Sequence, residues 1–218
     1  MGEHDRMRER FAAVYTAALT DVLDERGRRT QTLPPAIRPL VPGMRLAGPA
    51  FTVEGRPSDH GDWEGAIRKT LAMLGSVPAG HVAVYQCHHD RAAHFGELSA
   101  TSLSTRGVAG CVIDGGCRDT RFVADEGFPV FARHVTPEDC TWRWQVTATQ
   151  VAIEIGGVRV EPGDWVVGDE DGVVVVPAAI AGDVLAEAEA KAGTENEIRA
   201  AVREGMLPLE AFERFGTF

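Results

Sequence analysis

Apolar residues recur at helical spacing near the start of the chain. Phe11, Val14, Tyr15, Ala18, Leu19, Val22 and Leu23 share one face, and Gly27 lies just past them as a stop signal, which predicts one amphipathic helix. Pro34, Pro35, Pro39 and Pro42 make residues 31–43 an extended connector. Residues 45–54 read as a strand, 63–74 as a helix with an Asp-containing start, and 81–87 (HVAVYQC) as a short apolar strand. A helix over 95–106, a strand over 108–113, a turn at Asp114-Gly115-Gly116, a helix over 119–126 and a strand over 129–132 follow. Strands alternating with helices through short connections imply crossover units and a parallel sheet. After Pro137 the pattern changes. Residues 151–155 and 158–160 flank Gly156-Gly157 as a hairpin. Residues 165–167 and 173–176 flank the loop GDEDG, and the Ala/Glu-rich stretch 178–204 reads as a long, largely solvated helix. With neither an internal repeat nor a linker, residues 1–218 are expected to form one α/β domain with an antiparallel section, 178–218 being a helical extension.

Composition changes this picture little. Of 218 residues, 44% are hydrophobic and 25% charged, enough for a sizeable core. The formal charge of -10 argues against nonspecific nucleic-acid binding, which needs a basic footprint. It leaves small anions possible, because one Arg or a metal inverts the field inside a pocket. Cys87, Cys111, Cys117 and Cys140 form no CxxC pair and read as buried thiols of a reducing compartment. The charged start MGEHDRMRER lacks an apolar signal core, and Arg6 stands where a myristoylation signal wants Ser or Thr. No stretch nears 18 consecutive apolar residues, so no membrane partner and a cytoplasmic location are expected.

Chemistry concentrates in residues 96–137. There a buried strand and a glycine-rich turn are expected to deliver Arg118 and Asp119 to a helix start, which offers free backbone N–H groups and a positive end. A carboxylate suits Mg²⁺, and a guanidinium suits a carboxylate or an enolate. The residue types allow a plainer arrangement as well: Asp is a preferred N-cap, with the Arg in solvent.

The region resembles the RraA-like family, which includes the 4-hydroxy-4-methyl-2-oxoglutarate/4-carboxy-4-hydroxy-2-oxoadipate aldolases. Their acidic residue, twenty intervening residues and Arg-Asp match Glu97, residues 98–117 and Arg118-Asp119, with Glu where the aldolases often have Asp. LPPAIRPLVPGMRLAGPAFTV, GFPVFARHVTP and GGVRVEPGDWVVGDEDGVVVVP extend the likeness over most of the chain. The resemblance implies the swivelling β/β/α fold with a long C-terminal helix, a homotrimer or homohexamer, and Mg²⁺ or Mn²⁺ as cofactor. It implies a lyase that cleaves a 4-hydroxy-2-oxo acid to pyruvate and also decarboxylates oxaloacetate. Asp119 would then ligate the metal, Glu97 would hold a metal-bound water and organise proton transfer, and Arg118 would stabilise the pyruvate enolate. The amides of Leu98 and Ser99, after Gly96, would take the substrate carboxylate. An acidic residue from a neighbouring subunit's C-terminal helix completes the family's site, and Glu195, then Glu197, fits best.

Several residues stand outside that scheme. His88, His89, Asp90 and His94 are transition-metal ligands by type, but lining the pocket mouth and altering substrate choice is the better reading. His134 is expected at the surface or behind the site. Asp169, Glu170 and Asp171 read as an acidic turn, and Trp142 and Trp144 as packing in an edge or interface segment. The same family contains regulators that bind and inhibit ribonuclease E. These are expected to lack the Asp of the Arg-Asp pair and the long C-terminal helix, both present here. No glycine-rich methyl-donor loop follows a first strand.

Overall fold

The computed structural model describes residues 2–58 and 62–218. Its central sheet runs β1 (Arg38–Pro39), β6 (Val130–Val135), β5 (Gly110–Cys117), β3 (Val82–Gln86), β2 (Leu46–Pro57), β10 (Trp165–Asp169) and β11 (Gly172–Val176). The pairs β2–β3, β3–β5 and β5–β6 are parallel. Their crossovers carry α3 (Trp63–Ser76), α4 (Glu97–Ser104) and α5 (Thr120–Glu126), as the alternating pattern predicts. β4 (Ala93–Phe95) adds to β5 and β7 (Trp144–Thr149) to β2. β8 (Ile153–Ile155) and β9 (Val158–Val160) form the expected hairpin, with Gly156 and Gly157 both at positive φ, as a type I′ turn requires.

The proline-rich connector closes the sheet nearly into a barrel. Leu33 N–H donates to the Val173 carbonyl and Val175 N–H to the Gln31 carbonyl, at the β11 edge. A few residues on, Arg38 and Pro39 pair with Ala132 and Phe131 of β6, at the opposite edge. Arg38 Nη1 also donates to the carbonyls of Glu170 and Asp171 at 3.1 and 2.6 Å.

Both faces of the strands are covered, which is why they read as continuous apolar runs. Val82, Val84, Val112, Val173 and Val175 point into the barrel with Leu33, Ile37 and Phe131. Ala83, Tyr85, Cys111 and Ile113 face α3, α4 and α5 with Met73, Leu103 and Val123. Val174, Val176 and Trp165 face a second helical layer of α1 (Glu3–Ala13), α2 (Thr16–Glu25) and the first half of α6 (Ala181–Arg203).

Three expectations are corrected. The single N-terminal helix is two, broken at Val14 and Tyr15, whose ψ angles are 144° and 152°. At the break the buried Asp169 carboxylate accepts from Thr16 N–H at 2.8 Å and Thr16 Oγ1 at 2.7 Å, and Arg45 Nη2 donates to the Val14 carbonyl at 2.9 Å. The acidic turn expected at 169–171 joins β10 to β11, with Asp171 N–H donating to Asp169 Oδ1 at 3.0 Å, and the same carboxylate also holds the start of α2. Asp169→Ala should cost about 3 kcal/mol by removing charge-assisted bonds to a buried helix end, and thermal unfolding measures it. Residues 114–116 form no turn but run inside β5. Phe95 belongs to β4, so α4 begins only at Glu97. The long helix expected over 178–204 is there as α6, ending at Arg203, and a short helix, α7 (Pro208–Phe215), completes the helical extension. Among the described residues no helix is long and apolar enough to cross a membrane.

Candidate active site at the ends of β4 and β5

β4 and β5 pair in parallel, with Ala93 opposite Gly116 and Phe95 opposite Cys117. The chain leaves both strands at the same level. Glu97 then opens α4, and Arg118-Asp119 precede α5. Twenty intervening residues are what one trip through α4 and back along β5 requires, so the spacing is a consequence of this register. The site lies at the carboxyl ends of parallel strands, where open α/β sheets bind ligands.

Glycines permit the approach. A Cβ on Gly96 would lie 2.6 Å from Asp119 Oδ2 and 3.1 Å from Arg118 Cγ. A Cβ on Gly116 would lie 2.6 Å from the Ala92 carbonyl oxygen and 2.7 Å from His134 Nε2. Close packing between strands, not a turn, is what residues 115 and 116 serve.

Asp119 occupies the N-cap position of α5 without acting as a cap. Its backbone is left-handed at φ 55°, and its side chain makes no capping bond. Instead Asp119 Oδ2 accepts from Glu97 N–H at 3.3 Å and lies 3.4 Å from Arg118 Nε. A non-glycine residue in that conformation costs energy that functional sites commonly store. The plain capping arrangement is thus not the one adopted. The next amides of α4, those of Leu98 and Ser99, lie in its first turn and have no intrahelical acceptor. Leu98 itself is largely exposed.

Arg118 is held from a second side by a residue not foreseen. Its Nη1 lies 3.1 Å from Asp139 Oδ2. Asp139 is fixed by Thr141 N–H and Thr141 Oγ1 at 3.1 and 3.0 Å. Burial alone would raise the Asp139 carboxyl, but the Thr141 bonds and the Arg118 charge outweigh it and hold it below its ordinary value. Nothing in the local pattern Pro137-Glu138-Asp139 marks this role, because it depends on a bridge between Ala93 and Asp139 across the fold.

The remaining candidates separate. Glu195 accepts a hydrogen bond from the Tyr15 hydroxyl of its own chain, away from Arg118 and Asp119. Burial, then Glu195, pushes the Tyr15 hydroxyl up to about 12. Glu197 has no hydrogen-bond or ion-pair partner for its side chain among the described residues. His94 is buried, its Nδ1 accepting from Gly116 N–H at 3.3 Å. Burial first, then His89 and His134, lowers it to about 3, so the ring is neutral near pH 7. It packs edge-on against Trp144, whose indole N–H donates to the Cys87 carbonyl at 2.8 Å. His134 sits on β6 opposite Gly116, and its Nε2 is buried without a partner among the described residues. His88 lies 3.8 Å from Glu54. Cys87, Cys111 and Cys117 are buried, as expected, and Cys140 partly so; burial raises all four thiols.

As for a metal, the described residues contain no group of three or more His, Cys, Asp or Glu able to hold one. A zinc cage does not fit. The half-exposed Asp119 carboxylate does fit a hard cation that keeps waters and takes further oxygens from substrate.

The RraA-like (Aldolase/RraA) family model matches residues 16–175, and the chain belongs to this family. Among curated relatives it is 30% identical over 203 residues to the "Putative 4-hydroxy-4-methyl-2-oxoglutarate aldolase" of Halalkalibacterium halodurans, covering 93% of this chain and 91% of that one. Among solved structures it resembles an uncharacterized protein from Pseudomonas syringae pv. tomato at TM-score 0.84 and 32% identity, over 95% and 96% of the two chains. It also resembles RraAS2 of Streptomyces coelicolor, described as an unusual member of the RNase ES inhibitor RraA protein family, at TM-score 0.80 and 29% identity over 89% and 96%.

Proposed function

We propose that the protein is a divalent-metal-dependent carbon–carbon lyase that cleaves a 4-hydroxy-2-oxo acid to pyruvate and also decarboxylates oxaloacetate. One observation carries the reading: Asp119 stands at a strained N-cap without capping, its carboxylate turned to Glu97 N–H and Arg118. A helix cap with a solvated Arg would need none of this. The aldolase name of the Halalkalibacterium relative supports the same choice.

Bound Mg²⁺ or Mn²⁺ would supply Lewis-acid polarisation of the 2-oxo group, with Asp119 holding it directly and Glu97 through water. The chain's own groups do the rest. The amides of Leu98 and Ser99, after Gly96, receive the substrate carboxylate. Arg118, clamped between Asp119 and Asp139, presents its guanidinium to the enolate oxygen as the bond breaks. Glu97 organises removal of the proton from the 4-hydroxyl. Asp119→Ala should abolish pyruvate release, more than about a hundredfold, while leaving thermal unfolding of the domain nearly unchanged. Pyruvate release by that variant at the wild-type rate would remove the proposal.

We propose further that Glu195 reaches the site of a neighbouring subunit in a homotrimer or homohexamer. The exposure of Leu98, Phe122 and Val135 near the site, and of Leu209 and Phe212 on α7, supports burial between copies. Inactive Glu195→Ala and Asp119→Ala protomers, mixed under subunit exchange, should regain part of the activity. Verified mixed oligomers that stay inactive would count against sharing.

A further inference from the structure

Contrary to its expected place at a pocket mouth, His94 is only 5% exposed and lies inside the fold. It is the middle residue of β4. Ala93 stands opposite Gly116 and Phe95 opposite Cys117, so two steps of β4 answer to one step of β5, and His94 is the extra, bulged residue. The ladder between β5 and β6 also slips, between Ile113 and Gly116. Two irregularities therefore meet at one level, and bulges beside functional sites re-aim the residues that follow them. Those residues are Glu97, three beyond His94, and Arg118-Asp119, starting two beyond Gly116.

The His94 ring joins the two strands. Its Nδ1 accepts from Gly116 N–H at 3.3 Å, and a Cβ on Gly115 would lie 2.5 Å from Nδ1 and 2.8 Å from Cε1. The glycine at 115 thus admits the imidazole. Trp144 and His89 flank it edge-on, with ring centroids at 5.0 and 5.4 Å. An accepting Nδ1 puts the proton of the neutral ring on Nε2, which is buried without a partner among the described residues. A buried N–H left unpaired is unfavourable, and a leucine would fill the same space without one. Packing does not explain a histidine at this position, whereas the bond to Gly116 does.

We propose that His94 is a positioning residue: by holding Gly116 it fixes how far β5 advances beside β4, and so where Arg118 and Asp119 stand relative to Glu97. The inference rests on the lyase reading, in which those three residues act together. His94 acts through the strands and not on the substrate.

Two substitutions separate the hydrogen bond from the packing. His94→Asn keeps an acceptor in place of Nδ1 but loses the ring, while His94→Leu keeps the bulk and removes the acceptor. Mn²⁺ binding without substrate, followed by electron paramagnetic resonance, and pyruvate release are measured beside thermal unfolding for each full-length protein. His94→Leu should unfold no lower than His94→Asn. It should nevertheless bind Mn²⁺ and release pyruvate at least about tenfold less well than the wild type, as loss of the support behind a metal ligand typically does. His94→Asn should stay within about threefold of the wild type in both. Should His94→Leu not fold, Gly115→Ala takes its place, because its methyl would push the ring off Gly116, and the same losses are expected. If His94→Leu, or Gly115→Ala in its place, stays within about threefold of the wild type, or if His94→Asn loses as much, the positioning role is overturned even where the wild type is a robust lyase. A wild type that neither binds Mn²⁺ nor cleaves any 2-oxo acid would overturn the lyase reading and this role together.

Discussion

Arg118→Ala should cripple retro-aldol cleavage and oxaloacetate decarboxylation alike, whereas Glu97→Gln should damage cleavage far more than decarboxylation. Both reactions pass through a pyruvate enolate, and a site that stabilises that charge lowers both barriers. Arg118 is built for the shared step: Asp119 and Asp139 hold its guanidinium from two sides, so its orientation is set before substrate arrives. Loss of one such donor costs about a hundredfold or more in kcat. Only cleavage removes a proton from a hydroxyl group, and a positioned base is typically worth about a hundredfold. Glu97 has no side-chain partner among the described residues, while its own amide is spent on Asp119, leaving the carboxylate available to a water. Rates of pyruvate formation from the two substrates, compared for each variant, decide the matter. If Glu97→Gln slows both reactions equally, Glu97 serves the metal or the enolate, and its part in proton transfer is wrong.

Gly116→Ala should destabilise the fold by about 3 kcal/mol and reduce activity at least tenfold in whatever folded protein remains. The added methyl would meet the Ala92 carbonyl carbon at 3.2 Å and its oxygen at 2.6 Å. A backbone carbonyl cannot swing aside as a flexible side chain can, so β4 and β5 must separate. That separation displaces Phe95 and Cys117, the paired residues from which Glu97 and Arg118 depart. Gly182→Ala in α6 is the control, because nothing lies within 4 Å of its new Cβ. It should be neutral or stabilising by about 0.5 kcal/mol. Denaturant midpoints and specific activity of the three proteins check both statements.

Where the strands form was legible because both of their faces are buried. Residues 82–86 and 172–176 could hardly be anything but buried strand, and Gly156-Gly157 between alternating residues dictated a hairpin. Where the chain bends was less legible, since the agents act from far away in sequence. Val14 and Tyr15 continue the helical periodicity, and the break is held from afar, by the Asp169 carboxylate on Thr16 and the Arg45 guanidinium on the Val14 carbonyl. Gly115 and Gly116 carry turn chemistry but are needed for close approach of Cys87, His94, Ala92 and His134. At the site, Glu97, Arg118 and Asp119 were named from a family likeness, and the strand register explains their spacing. Asp139 stayed hidden: it looks like an ordinary loop residue until the fold bridges it to Ala93. Glu195 was chosen by position in a helix, and within one chain it meets Tyr15 instead.

Pyruvate release from 4-hydroxy-4-methyl-2-oxoglutarate, followed through lactate dehydrogenase and NADH, tests the central claim most directly. The wild-type protein should release pyruvate with Mg²⁺ present, fall to background in excess EDTA, and recover when Mg²⁺ is restored above the chelator. Full activity in EDTA, or no pyruvate from this or any 4-hydroxy-2-oxo acid with Mg²⁺ or Mn²⁺ supplied, would contradict it.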